Sequence, residues 1–423
     1  MAKIRVAQFT IQVLKRAEDI LRAYISKPSW QDQLLPHDWV QSFSIETAYH
    51  TDVTIAKDKQ TEERRALFGR PTRTLKVNWT SIPTEDLEKM LHLMRYMNEE
   101  RFLVPIYSDI NFNSEDYDNG GATPLVVAVE TKNCRYFING YVCVEKEGEL
   151  AFRRLTGFTK DGIKIDSALP WSGDAGTLKI CPCITAEQLL DSDMNLITDE
   201  VSQISITLKE AISKYALPPA WTGLPLGWNT FEDLPIIDPF YLHNWVGTLK
   251  IQDQRAGIQS ASGRGIYTET WGDAPKRITS INLLQDREEG YKFLKLFDSR
   301  RGRLLPLWVI DAQGGWRVKA IGSGYIDVYS RGSTSYLNEV KYIGITKEDG
   351  SSEVREVGSV TVHDGDWRFN LTSSFTFSAD EVIHCARARK SRFFKDALEQ
   401  EYVTDNVIRT QASFIELLKE VNQ

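Results

Sequence analysis

Cysteine is scarce in this chain of 423 residues: there are five, an odd number, spread from Cys134 to Cys385. A dispersed, odd set makes no disulfide framework, so a reducing compartment is the expected setting. Positive charge is not in excess either. Lysine plus arginine total 51 against 58 aspartate plus glutamate, a net charge of −7, which speaks against a broad nucleic-acid or anionic-membrane surface. No uninterrupted apolar run approaches the ~18 residues of a membrane helix. The first residues, MAKIRVAQFTIQVLKRAEDILRAYISK, carry basic side chains throughout; they lack the clean apolar core and small-residue cleavage site of a signal peptide. Neither a membrane nor a specific nucleic acid is therefore expected as a partner.

The chain also lacks the familiar signatures of catalysis. There is no G-x-S-x-G elbow, no H-E-x-x-H and no C-x-x-C, and the glycine pairs Gly322-Ser323-Gly324 and Gly263-Arg264-Gly265 fit turns or bulges, not phosphate loops. The six histidines are scattered, and structural roles are expected for His243 and His363. Cys181-Pro182-Cys183 and His384-Cys385 could together supply zinc ligands, but nothing in the sequence joins them, and buried inert thiols are expected instead. DINFNSEDYDNGG (109–121) has Asp109, Asn111 and Asn113 at calcium-loop positions. It has Ser114 where glycine is needed and Gly120 where glutamate is needed, so it reads as a solvated surface loop. No catalytic residue, metal or cofactor is assigned.

What is present is a folding chain: 42% hydrophobic and 11% aromatic residues exclude general disorder, and the length suits two or three domains. Thr10, Val13, Leu14, Ala17, Ile20, Leu21 and Tyr24 follow one helix face, so residues 1–27 read as an amphipathic N-terminal helix or arm. Beyond it the chain resembles itself. Leu103-Val104-Pro105-Ile106-Tyr107 recurs as Leu304-Leu305-Pro306-Leu307-Trp308, and Phe68-Gly69-Arg70-Pro71-Thr72-Arg73 finds a partner in 271–277. Lys146-Glu147-Gly148 matches 347–350, Thr198-Asp199-Glu200-Val201 matches 404–407, and Pro28-Ser29-Trp30 matches Pro219-Ala220-Trp221. The order is kept and most offsets lie near 200, which predicts a tandem duplication of a whole domain. Module 1 spans 28–215 and module 2 spans 216–423. Five of the fifteen prolines fall between Pro218 and Pro239, in a linker or strap at about 214–240. Each module reads as extended segments (72–79; 276–284), one helix (85–100; 286–301), a short Pro-aromatic strand and several further strands. The fold class is α+β, mostly β.

Four arginines, Arg64, Arg65, Arg70 and Arg73, crowd ten residues beside Glu62 and Glu63; the mixture suits salt bridges between subunits better than DNA. Trp30, Trp39, Trp221 and Trp228 lie in proline-rich arms, where aromatic anchors can clamp a neighbour or cap their own core. Around the arginines runs a pattern: Trp39, then Thr51-Asp52-Val53, Glu63-x-Arg65, Arg70-Pro71-x-Arg73 and Trp79. Pro105 with Tyr107 follows, matched by Pro306 with Trp308, and Thr198-Asp199 leads into Ile204-Ser205-Ile206-Thr207. This pattern, over roughly 28–210, resembles minor tail, distal tail and baseplate proteins of tailed bacteriophages. The E-x-R element is missing from the second module, where 260–271 stands in its place. The resemblance implies a virion structural protein of the tail, assembled in the host cytoplasm, with itself (a homo-trimer or homo-hexamer) and other tail proteins as partners. Two modules per chain suggest three copies matching a six-fold tube to a three-fold tip. The alternatives are a carbohydrate-binding or receptor-recognition module of the tail, and an ordinary enzyme with an unrecognised site.

Overall fold

A computed structural model describes residues 43–55, 61–80, 102–120, 125–131, 134–136, 140–196, 202–210, 227–242, 249–254, 257–262, 265–270, 276–313, 315–329, 337, 340–404 and 406–420. The N-terminal arm with Trp30 and Trp39, the expected helix at 85–100, Trp221, His243 and the 214–226 part of the proline-rich linker lie outside these residues. Strand dominates, as the sequence pattern implies. In β4 (Thr72–Thr80), Arg73, Leu75 and Val77 are buried while Thr74, Lys76 and Asn78 are half-exposed; in β12 (Ser202–Glu210), Ile204, Ile206, Leu208 and Glu210 alternate in the same way. A period of two is what one buried sheet face requires.

The first half contains β1 (Phe43–Ala48), β2 (Thr51–Ile55), β3 (Thr61–Ala66), β4, β5 (Phe102–Pro105), β6 (Asn111–Phe112) and β7 (Val126–Ala128). It continues with β8 (Tyr141–Lys146), β9 (Glu149–Phe158), β10 (Gly162–Ile165), β11 (Lys179–Leu196) and β12. Its antiparallel ladder runs β4 to β12 to β11; β11 then pairs with both β5 and β8, and β8 leads to β9, β10 and β7.

The second half opens with β13 (Thr230–Phe231), β14 (Leu234–Ile237) and the single turn α1 (Pro239–Leu242). Next come β15 (Lys250–Gln254), β16 (Gly257–Ser262), β17 (Gly265–Thr270), β18 (Lys276–Asp286) and helix α2 (Arg287–Ser299). Then follow β19 (Leu307–Ile310), β20 (Val318–Gly322), β21 (Tyr325–Val328), β22 (Tyr342–Lys347), β23 (Ser352–His363) and β24 (Asp366–Leu371). The chain closes with β25 (Val382–Phe393), β26 (Ala397–Thr404), β27 (Val407–Glu416) and β28 (Lys419–Glu420). Here β18 pairs with β27 and β27 with β25; β25 pairs with both β19 and β22, and β22 leads to β23, β24 and β21.

The two ladders thus run in the same order and the same sense. Tight turns close hairpins in each half: Glu147-Gly148 between β8 and β9 and Asp364-Gly365 between β23 and β24 take positive φ, which suits the primed hairpin turns that follow strand twist. One sequence landmark is displaced. Pro105 ends β5 opposite Cys183, whereas Pro306 precedes β19, because proline cannot donate to a ladder and sits most easily at a strand's margin. The helix expected at 286–301 is α2, capped by the Asp286 carboxylate accepting the Glu289 amide, with Glu288 and Glu289 in its first turn, where the helix dipole favours negative charge.

The halves share their cores. Tyr402 and Ile408 enter the first core beside Phe43, Leu75 and Ile206, and Tyr49 enters the second beside Phe293, Phe297 and Phe393. Strand β1 makes this possible, since it pairs with β4 on one side and β26 on the other. Ile408 also packs against Gly290 of α2, where a Cβ would come within 2.7 Å of its Cδ1; glycine lets helix and strand approach closely.

Where Tyr49 meets the second core, its hydroxyl donates to Asp298 at 2.8 Å. Burial pushes the Asp298 carboxyl up to about 7 from its ordinary 3.8, against the opposing pull of the Tyr49 hydrogen bond and of the Arg73 and Arg135 cations. The folded state therefore keeps a proton that the unfolded chain loses near pH 4, and stability from this group falls as pH rises from about 4 to about 7. In urea melts across that range, Asp298→Asn, which retains the acceptor for Tyr49, should remove a pH-dependent loss of about 4 kcal/mol at most. Parallel pH profiles for the two proteins would contradict this assignment.

Candidate assembly surface and the ionic seam behind it

The arginine-rich segment folds as a hairpin: β2 pairs with β3, and β28 lies parallel on the other side of β3. The hairpin is fastened to the second half by its acidic residue. Glu62 is buried, with Arg392 Nε donating at 2.9 Å and Lys276 Nζ at 2.6 Å. Burial alone would raise the Glu62 carboxyl, but these two cations hold it below its usual value. At the neck, the Thr51 amide donates to Asp396 at 2.8 Å, and Arg303 pairs with the same carboxylate at 3.0 Å. The salt bridging expected between subunits is, at Glu62, made within the chain.

Much of this element is open. Leu67 and Phe68, which follow β3, are 58% and 54% exposed, and Ile55, opposite Glu62 in the register, is 51% exposed. Arg65 and Arg70 are exposed beside them, Arg64 is half-buried, and His50 meets the Phe68 ring edge-on at 5.5 Å. Among the described residues, the outer edge of β2 carries no strand, and an unpaired edge with apolar and cationic neighbours is a template for a partner. Arg73 does not belong to this surface. It is buried, with Nε and Nη2 donating to the two Glu210 oxygens at 3.1 and 2.8 Å. The corresponding place in the second half holds Arg277 and Glu416, one rung beyond Ile278 opposite Ile415. There Glu416 binds Arg389 at 2.6 Å, and Arg277 and Arg389 both reach Asp311. Trp228 caps its own core, packing on the second hydrophobic cluster and donating Nε1–H to Ile236 O at 3.0 Å.

A buried ion pair of the first half reaches across to the second through neutral acceptors. Asp109 is wholly buried, not solvated as the 109–121 segment suggested, and Arg135 is 2% exposed. The Arg135 guanidinium donates to Asp109 at 2.9 Å, to Gln400 Oε1 at 2.9 Å and to the Tyr402 hydroxyl at 2.6 Å. It also lies over the Tyr291 ring, 5.0 Å from the centroid. Arg287, at the start of α2, donates to Ile110 O at 3.1 Å and to the Cys134 sulfur at 3.2 Å. Asn113 is buried too, bonding Leu178, Glu115 and Asp174, and Asp116 accepts the Ala175 amide. The segment's buried polar side chains thus tie it to the 174–178 backbone, while Ser114, Glu115, Asp116, Asp118 and Asn119 face outward.

The two Cys/His pairs that the sequence set apart fall in two places. Cys181, Cys183 and Cys143 share a cluster with Tyr107, whereas Cys385 belongs to another and His384 binds Asp238 at 2.7 Å. Burial raises the thiols of Cys181, Cys183 and Cys385 and pushes Cys134 up to about 12, so these cysteines stay protonated and unreactive at neutral pH. Among the described residues no three His, Cys, Asp or Glu side chains converge as a metal site, and no helix is long and apolar enough to cross a membrane. In comparisons with known proteins, no family model and no curated sequence matches the chain.

The seam predicts strong coupling. Asp109→Asn or Arg135→Met alone should each cost about 3–5 kcal/mol in urea unfolding, since each leaves a buried charge uncompensated. The double variant should cost clearly less than the sum. Additive losses would show that the pair does not act as a unit.

Proposed function

We propose that this chain is a structural component of a tailed-bacteriophage virion, in the distal ring, baseplate or tip adaptor of the tail, and not an enzyme. The observation that carries the reading is the matched order of strand pairing in the two halves. It supports a tandem duplication, with modules at 28–215 and 216–423 and an amphipathic arm at 1–27. Like modules present like surfaces, and surfaces that repeat around an axis build closed rings. Three copies would set six such modules around one axis, suiting a junction between a six-fold tube and a three-fold tip. Arg64, Arg65 and Arg70, with Leu67 and Phe68, supply the subunit contact in this scheme, and Trp30, Trp39 and Trp221 extend it through the arms. The partners are other copies of the chain and neighbouring tail proteins. The Thr51-Asp52, E-x-R and Pro-Arg pattern that resembles tail proteins lies on and beside the exposed hairpin.

Native mass spectrometry of the purified chain, with class averages from electron microscopy, tests the scheme. A closed ring of three chains is expected, and Arg65→Glu with Phe68→Asp should return it to a monomer that keeps the wild-type far-UV circular dichroism, its melting temperature falling only by the contribution of association. Six chains per ring would overturn the three-chain arrangement, and a stable wild-type monomer would overturn the assembly role.

A further inference from the structure

A cleft of about 490 Å³ opens in the second half between the 227–242 strap, the first turns of α2 and the 349–352 turn. That volume lies within the range of small-molecule sites, about 300–1,000 Å³. Its walls are held from behind. Trp228 is bonded to Ile236, the Tyr241 hydroxyl donates to Glu348 O at 3.3 Å, and Asn229 donates to Gly350 O at 3.4 Å. Asp238 is tied to the buried His384, whose ring stacks on Phe240 at 4.6 Å. Gly350, at φ +83°, lets the Tyr241 ring lie against the turn, where a Cβ would come within 2.7 Å of that ring.

The lining selects by charge. Glu289 and Asp349 face the cleft against one cation among its lining residues, Lys292, while the buried Asp238 is engaged by His384 and the Phe240 amide, so an anionic ligand is disfavoured. The place where an ammonium ligand would rest is already taken, because Lys292 Nζ sits 5.6 Å from the centre of the Trp228 ring. What remains is an uncharged ligand that donates hydrogen bonds to carboxylates, accepts them from amide and ammonium groups, and has an apolar face. The half-exposed Tyr241 ring and the Leu284 side chain meet that face. We propose that this cleft binds a neutral sugar of one or two rings, with Glu289 and Lys292 holding its hydroxyls and Tyr241 lying against its C–H face. This goes beyond the assembly role and does not depend on it, since a monomer would keep the cleft intact.

Isothermal titration of the full chain with maltose, cellobiose, lactose and chitobiose tests the site, with glucuronate and spermidine as charged probes. Saturable binding of at least one neutral disaccharide is expected. Glu289→Gln should weaken it about tenfold or more. Tyr241→Ala, at a half-exposed ring outside the cores, should weaken it as well, while Asp116→Asn in the distant acidic segment should leave it unchanged. No neutral sugar binding up to about 10 mM, weaker than the millimolar end of specific recognition, would overturn the proposal. So would tighter binding of glucuronate or spermidine, or neutral-sugar binding that neither Glu289→Gln nor Tyr241→Ala affects.

Discussion

The buried guanidinium of Arg135 is the group on which the arrangement of the two halves turns. It comes from the first half, takes Asp109 as its counter-ion, and spends its other hydrogen bonds on Gln400 and Tyr402 of the second. A charge taken out of water is tolerated only when its partners are all in place. Separating the halves would leave Arg135 without its Gln400 and Tyr402 acceptors, and would also expose Tyr402, Ile408 and Tyr49, which sit in the cores of the opposite halves. Glu62 repeats the logic at the hairpin, where Lys276 and Arg392 are both second-half residues. Specific polar contacts fix one geometry, and the shared apolar cores supply most of the favourable burial.

That geometry decides what is left outside. With Glu62 turned inward, the hairpin shows Arg65, Arg70, Leu67 and Phe68 to solvent, so one short element is both an internal clasp and a candidate contact. The strap at 227–242 does the same in the second half. Trp228 and Asp238 bind it to the second core, and the gap left between strap, helix and turn is the cleft. Both candidate sites thus arise where a connecting segment is pinned across a sheet.

Local pattern made much of this legible. The alternation in 72–79 and 276–284 reads directly as β4 and β18, the acidic start of α2 marks its first turn, and Glu147-Gly148 and Asp364-Gly365 mark hairpins. Long-range pairing was not legible. Asp109 looks like one more carboxylate in a polar segment, and nothing nearby reveals that Arg135, Gln400 and Tyr402 will surround it. Arg73 and Arg65 belong to one basic cluster in sequence, yet strand alternation sends one into a buried pair with Glu210 and the other to the surface. Register could have warned of that, because Arg73 shares its parity with the buried Leu75 and Val77. The cleft left no local signal, since its walls come from three separate segments between residues 227 and 352.

The central claim is that the two halves form one cooperative body through the Arg135 and Glu62 contacts. Differential scanning calorimetry of the full chain tests it most directly. A single transition is expected, with calorimetric and van't Hoff enthalpies in agreement. Two separate transitions, one for each half, would contradict the account.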